Sequence, residues 1–170
     1  MTVKMYAPPA QFDVPCEMFS TAGWIKGTFM IPKLRNILDY FNQNHEFLKV
    51  KNVYLPGLEK EIPFFAIQKS AIILVLPAPT ADVAVTPATA GERKAREVSG
   101  AFNSGVVSGS IEILGGVRVS DFLMQNAAFF ALTQCSVFIR SSGPAEVRHN
   151  IPHVLVNAPR IIGVSEPRFI

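Results

Sequence analysis

Cysteine and charge are both scarce in this sequence. Two cysteines among 170 residues, Cys16 and Cys135, are too few for a disulfide framework. Charged residues make up 17% of the chain, against a usual share of about 25%, so few are available to cover the outside of the fold. No apolar run reaches the roughly 18 residues of a membrane span. The longest, AIILVLPA at 71–78, is strand-sized and runs into Pro77. The opening MTVKMYAPPAQFDVP lacks the continuous apolar stretch of a secretory signal. The expectation is a cytoplasmic protein with no membrane association.

Signatures of chemistry are missing as well. His149 and His153 stand four apart, but on a strand that separation spans about 13 Å, too far for one ion. No metal site is expected. Cys135 lacks an evident polarising neighbour and reads as a small core hydrophobe. Asp39 and Asp121 sit at matching places in two similar segments, whereas acid–base catalysis needs two groups placed differently around one substrate. RKAR at 93–96 is one residue too short for an RxxxR cyclic-dinucleotide motif. No cofactor and no catalytic residue is expected.

What the chain does have is apolar residues, 49% of the total, and a mild excess of positive charge, +3. An apolar excess with a thin charged coat points to a subunit interface, so a homo-oligomer is expected. The basic residues are scattered; only Arg93, Lys94 and Arg96 cluster, flanked by Glu92 and Glu97. Nucleic-acid binding is therefore permitted but not favoured.

The chain also repeats itself. Residues 24–53 and 106–135 align without a gap, with Gly27/Gly109, Ile31/Ile113, Asp39/Asp121, Gln43/Gln125, Asn44/Asn126 and Phe47/Phe129 identical. A second block matches IQKSAIILV at 67–75 with VNAPRIIGV at 156–164, seven residues further offset. The extra residues fall in the polar stretch RSSGPAEVRHN, where a duplicated fold tolerates a length change. The organisation expected is a first repeat unit with an N-terminal extension over 1–76, a Pro/Ala/Thr-rich linker over 77–96, and a second unit over 97–170.

Each unit reads as strand, helix, then three strands. The segments WIKGTFMIP and VVSGSIEIL alternate as strands do. A helix follows, with Leu34, Ile37, Leu38 and Phe41 on one face in the first copy and Val119, Phe122 and Leu123 facing inward in the second. Asn44 or Asn126 is expected to end it. Next come FLKVKNVYL or FFALTQCSVFI, then a hairpin of IPFFAIQ with AIILVL, or HVLVN with RIIGV. The expected fold class is α+β and β-rich: two tandem copies of a small β-α-β-β-β unit, each a partly open small barrel or sheet plugged by one helix. The closing pattern of apolar strand, short polar turn and Ile-x-x-Val strand (Ile72 to Val75, Ile161 to Val164) resembles the end of Sm-like or other SH3-like small barrels.

Two places carry candidate binding residues. The polar expansion of the second copy exposes Arg140, Arg148 and His149 as a partner-binding patch. The LGGVR turn offers Gly115, Gly116 and Arg118 as an anion site at a helix start. The function expected is a non-enzymatic binding or assembly module engaging a protein partner, with a small anionic ligand or nucleic acid as the alternative.

Overall fold

The computed structural model describes residues 10–79, 91–125, 128–140 and 143–167. Its strands are β1 (Gln11–Ser20), β2 (Gly23–Pro32), β3 (Phe47–Tyr54), β4 (Ile62–Gln68) and β5 (Ile72–Pro77), then β6 (Arg93–Phe102), β7 (Gly105–Leu114), β8 (Phe129–Ile139), β9 (Glu146–Asn157) and β10 (Gly163–Ser165). Helix α1 (Ile37–Phe41) lies between β2 and β3, and α2 (Val119–Gln125) between β7 and β8. All the strands join one antiparallel sheet in the order β10-β6-β7-β8-β9-β5-β1-β2-β3-β4.

A strand absent from the expected plan opens the first half, and β6 opens the second. β1 pairs with β2 along its whole length, from Gln11↔Pro32 to Ser20↔Gly23. Pro15 masks this strand in the sequence. It is tolerated because the ladder to β5 ends beside it, at Cys16↔Pro77. The order within each half is thus strand, strand, helix and three strands.

The expected closing hairpins do not form. β4 pairs with β3, whereas β5 pairs with β1 and β9. Likewise β9 pairs with β8 and β5, and β10 with β6. A single 3-10 turn separates the strands in each case, Lys69–Ala71 or Ala158–Arg160. The short step from Gln68 to Ile72 spans at most about 14 Å. The four strand spacings from β4 to β5 in a flat sheet would need about 19 Å. The first five-strand set is therefore strongly curled, bringing its outer strands close at one end.

Gly27 permits that curl, and Gly109 sits at a similar bulge. A β-bulge interrupts β2/β3 between Lys26 and Thr28, and another interrupts β7/β8 between Ser108 and Ser110. A Cβ on Gly27 would overlap Val50 Cγ1 and crowd Val53; one on Gly109 would lie 2.9 Å from both Cys135 Sγ and Thr133 O. Asn52 and Gln134, in the partner strands, both take positive φ, 53° and 51°.

The helices are shorter than the pattern of apolar residues suggests. Asn36 caps α1 by accepting from the Asp39 N–H at 2.7 Å, and the helix stops at Phe41. Leu34 therefore lies outside it and is fully exposed. Asn42, not Asn44, is the C-terminal cap; Asn126 lies outside the described residues. In α2, Val119 is buried while Phe122 and Leu123 are half-buried.

Two clusters form the core, and each borrows across the middle of the sheet. Phe29, Ile37, Phe41 and Val50 anchor the first, joined by Phe129 and Leu155. Val107, Ile111, Leu132 and Val137 anchor the second, joined by Phe19, Ile73 and Leu74. β5, between β1 and β9, is buried throughout. It feeds Ile72 and Val75 to one cluster and Ile73, Leu74 and Leu76 to the other.

No helix among the described residues is long and apolar enough to cross a membrane.

Candidate functional site

The seam between the halves carries a connected polar network. Strand β9 crosses β5 through Leu74↔Val156 and Val75↔Leu155. Its N-terminal end carries Glu146 and Arg148 over the β1–β2 hairpin. The Arg148 guanidinium stacks 3.8 Å from the centroid of the Trp24 ring. It donates from Nη1 to Glu17 Oε2 and from Nε to Glu146 Oε1, both at 2.6 Å. Trp24 Nε1 closes the circuit by donating to Glu146 Oε2 at 2.8 Å. Lys26 adds a longer ion pair to Glu17, 3.7 Å.

The electrostatics follow from these contacts. Burial pushes the Glu146 carboxyl up, but hydrogen bonds from Arg148 and Trp24, with the Arg148 charge, outweigh it and hold the group below its usual range. Burial likewise disfavours charge on Arg148, and the hydrogen bonds and charges of Glu17 and Glu146 reverse that, raising it.

A cleft of about 600 Å³ opens beside this network. Pro15, Pro77, Pro152, Tyr54, Ile151 and His149 contribute to its walls, and Arg148 lies on its rim. Prolines offer no N–H, so much of the wall is apolar and donor-free. Asn52 and Asn150, both with positive φ, also face it and supply polar points. Tyr54 is exposed and hydrogen-bonded to Glu61, whose hydrogen bond and negative charge raise the phenol above its ordinary range.

Of the sequence-derived candidates, Arg148 and His149 fall at this cleft. Arg148 is held in place by two carboxylates. His149 is exposed, with Nδ1 3.1 Å from Ser136 Oγ. Arg140 follows the end of β8, its backbone N–H bound to Ser104 O at 2.6 Å, and does not line the cleft. The LGGVR turn lies elsewhere. Gly116 takes φ +88°, Gly115 N–H bonds Glu92 O, and Arg118 is exposed. The Val119 N–H at the start of α2 donates to Glu166 Oε1 at 3.2 Å, and the same carboxylate pairs with Arg96 at 3.6 Å. The chain's own acid thus occupies an amide that the anion reading offered to a ligand.

Trp24, Glu17, Glu146, Tyr54 and Asn52 were not legible as site residues. The one signal was Trp24, the single tryptophan of the chain.

The two thiols are buried and free. Burial raises both, Cys135 to about 12. Among the described residues, no group of three or more His, Cys, Asp or Glu is placed to hold a metal ion. His149 and His153 both lie on β9, and His153 Nδ1 is buried without a hydrogen-bond partner.

No protein-family model matches the sequence, and searches of curated proteins and of solved structures gave no match.

Proposed function

We propose that the chain is a non-catalytic binding and assembly module, built by internal duplication of a small curled barrel and using the seam cleft to hold an extended segment of a protein partner. The duplication is supported by element boundaries. β1 and β6, and β2 and β7, begin and end 82 residues apart, and the 3-10 turns lie 89 apart. The strand order β5-β1-β2-β3-β4 recurs as β10-β6-β7-β8-β9. The bulges around Gly27 and Gly109, and the positive φ of Asn52 and Gln134, fall at matching places. Five curled strands with a 3-10 turn before the last support the resemblance to SH3-like and Sm-like small barrels.

The observation that carries the binding reading is the lining of the seam cleft. Its walls are apolar and proline-rich, its cations are matched by carboxylates, and its volume lies in the usual range for a binding pocket. Polyanion binding draws on cations free to displace counterions. Arg148 and Lys26 already face Glu17 and Glu146, which favours a polypeptide with apolar side chains over nucleic acid. His149 and Tyr54 are exposed contacts, and Arg148 is part of the lining. Two free, buried thiols suit a reducing cytoplasmic setting, which belongs to this reading.

A photo-cross-linking amino acid placed at His149, and separately at the remote exposed Arg35, tests the proposal. One defined protein adduct from position 149 and none from 35 is the expected result. Equal labelling from both positions, or a nucleic-acid adduct from 149, overturns it.

A further inference from the structure

The seam inside the chain has an open counterpart at the two ends of the sheet. Internally, the fourth strand of the second half, β9, pairs with the fifth strand of the first half, β5. The fourth strand of the first half, β4, pairs only with β3 among the described residues, and the fifth strand of the second half, β10, only with β6. These are the terminal strands of the sheet. One end carries the kind of edge that β9 presents and the other the kind that β5 presents.

Apolar exposure at the two ends matches this correspondence. At the internal seam, Phe41 of α1 packs on Phe129 of β8 with ring centroids 5.1 Å apart, and both rings are buried. By the repeat, the residues matching Phe41 and Phe129 are Leu123 and Phe47. Phe47 is 55% exposed and Met124, beside Leu123, is 85% exposed. β5 is buried throughout, yet Ile162 and Gly163, which match Ile73 and Leu74, are exposed. A groove of about 560 Å³ runs beside β10, bounded by Leu123, Met124, Ile161 and Val164. An exposed Phe47 stands at one end and an open, largely apolar groove at the other.

Resting on the duplication proposed above, we infer that copies of this chain join head to tail. β4 of one chain adds to β10 of the next, and Phe47 enters the groove beside α2. The internal register fixes the external one. Leu74↔Val156 and Val75↔Leu155 translate to Gly163↔Ile67 and Val164↔Ala66 across the junction. Asn157, whose Nδ2 donates to Ile72 O at 2.7 Å and Lys69 O at 3.3 Å, translates to Gln68 reaching Ile161 and Ala158 carbonyls of the neighbouring chain. The interface is heterologous, so each chain has one donor face and one acceptor face. Strand addition satisfies backbone groups that an open edge leaves to water.

The test uses light scattering behind size exclusion on the full chain, with Phe47→Glu and Met124→Glu. Both side chains are exposed, and far-UV circular dichroism checks that each variant stays folded. The wild-type chain is expected to run above the 18.6 kDa of one chain, and each variant as a single chain. Leu34→Glu, at a fully exposed residue outside α1, should keep the wild-type mass. Mixing the two variants leaves one intact junction and should give a species of two chains and no larger. Ala66→Cys mixed with Val164→Cys should cross-link under oxidation, reporting the register. A single-chain wild type overturns the inference while leaving the His149 cross-link to judge the cleft. Loss of assembly with Phe47→Glu but not Met124→Glu also overturns it, in favour of a two-fold contact.

Discussion

The guanidinium carbon of Arg148 lies over the indole of Trp24, 3.8 Å from the ring centroid, although 124 residues separate them in the chain. The pair ties the N-terminal hairpin of the first half to the longest strand of the second. It also makes Arg148 part of the fold, so an Arg148→Ala variant cannot serve as a clean test of partner binding.

Arg148→Ala should lower stability by about 2 kcal/mol, since it removes a partly exposed cation–π contact and strands two carboxylates. Arg148→Lys keeps the charge but not the planar fork, and should recover only part of the loss. Urea unfolding of the three proteins measures this; equal midpoints for wild type and Arg148→Ala would refute it.

Glu146 sets an acid dependence. Its carboxyl is held low in the folded chain, so its contribution is complete above the unfolded carboxylate range and fades as pH falls through the lower, folded value. Glu146→Gln should therefore flatten the acid limb of a stability–pH profile taken between about pH 3 and pH 7. A limb of unchanged slope argues against the network as its source.

Gly27→Ala and Gly109→Ala should each cost more than about 2 kcal/mol, because the added methyl meets atoms already packed at a bulge. They should differ in rescue. Trimming Val50 to Ala makes room at Gly27, where the overlap is with a side chain. Trimming Cys135 to Ala should not rescue Gly109, because the Thr133 carbonyl stays 2.9 Å away. Thermal melts of the double variants decide the matter.

Cys135 should be inert in the native protein. With its thiol pushed up to about 12 by burial, the reactive thiolate is scarce near pH 8. A chromogenic disulfide reagent should find no fast thiol in the folded chain and both after denaturation. One fast native thiol would contradict the buried placement.

Much of the β-rich plan was legible because strand periodicity and the repeated phrase survive in the sequence. β8 and β3 were plain from their alternating apolar residues, and Cys135, with no polarising neighbour evident in the sequence, read as the core residue it is. β1 was hidden by Pro15, whose tolerance depends on where a neighbouring ladder ends, a tertiary fact. The hairpin expectation failed because a polar turn between two apolar strands does not reveal whether it reverses the chain or carries it across a curled sheet. Leu34 fits a helical face by spacing, yet the Asn36 side chain starts the helix after it. The Glu17–Arg148–Glu146–Trp24 circuit was invisible because residues remote in sequence meet only once the two halves are joined.

The buried β5 strand also has a consequence for how the chain is made. β1 pairs one edge of β5, but its partner on the other edge, β9, begins at Glu146, so a ribosome releases the whole first half well before that second edge can pair. During that interval the nascent half displays β4 and one side of β5 as open edges, and under the duplication proposed above these are the two kinds of edge that pair at the seam. Neighbouring nascent halves on one messenger are thus matched to one another. The native seam must win by the high effective concentration that a shared chain provides. A synonymous-codon pause placed before β9 should lengthen the exposed interval and raise the aggregated fraction, leaving the protein that does fold unchanged.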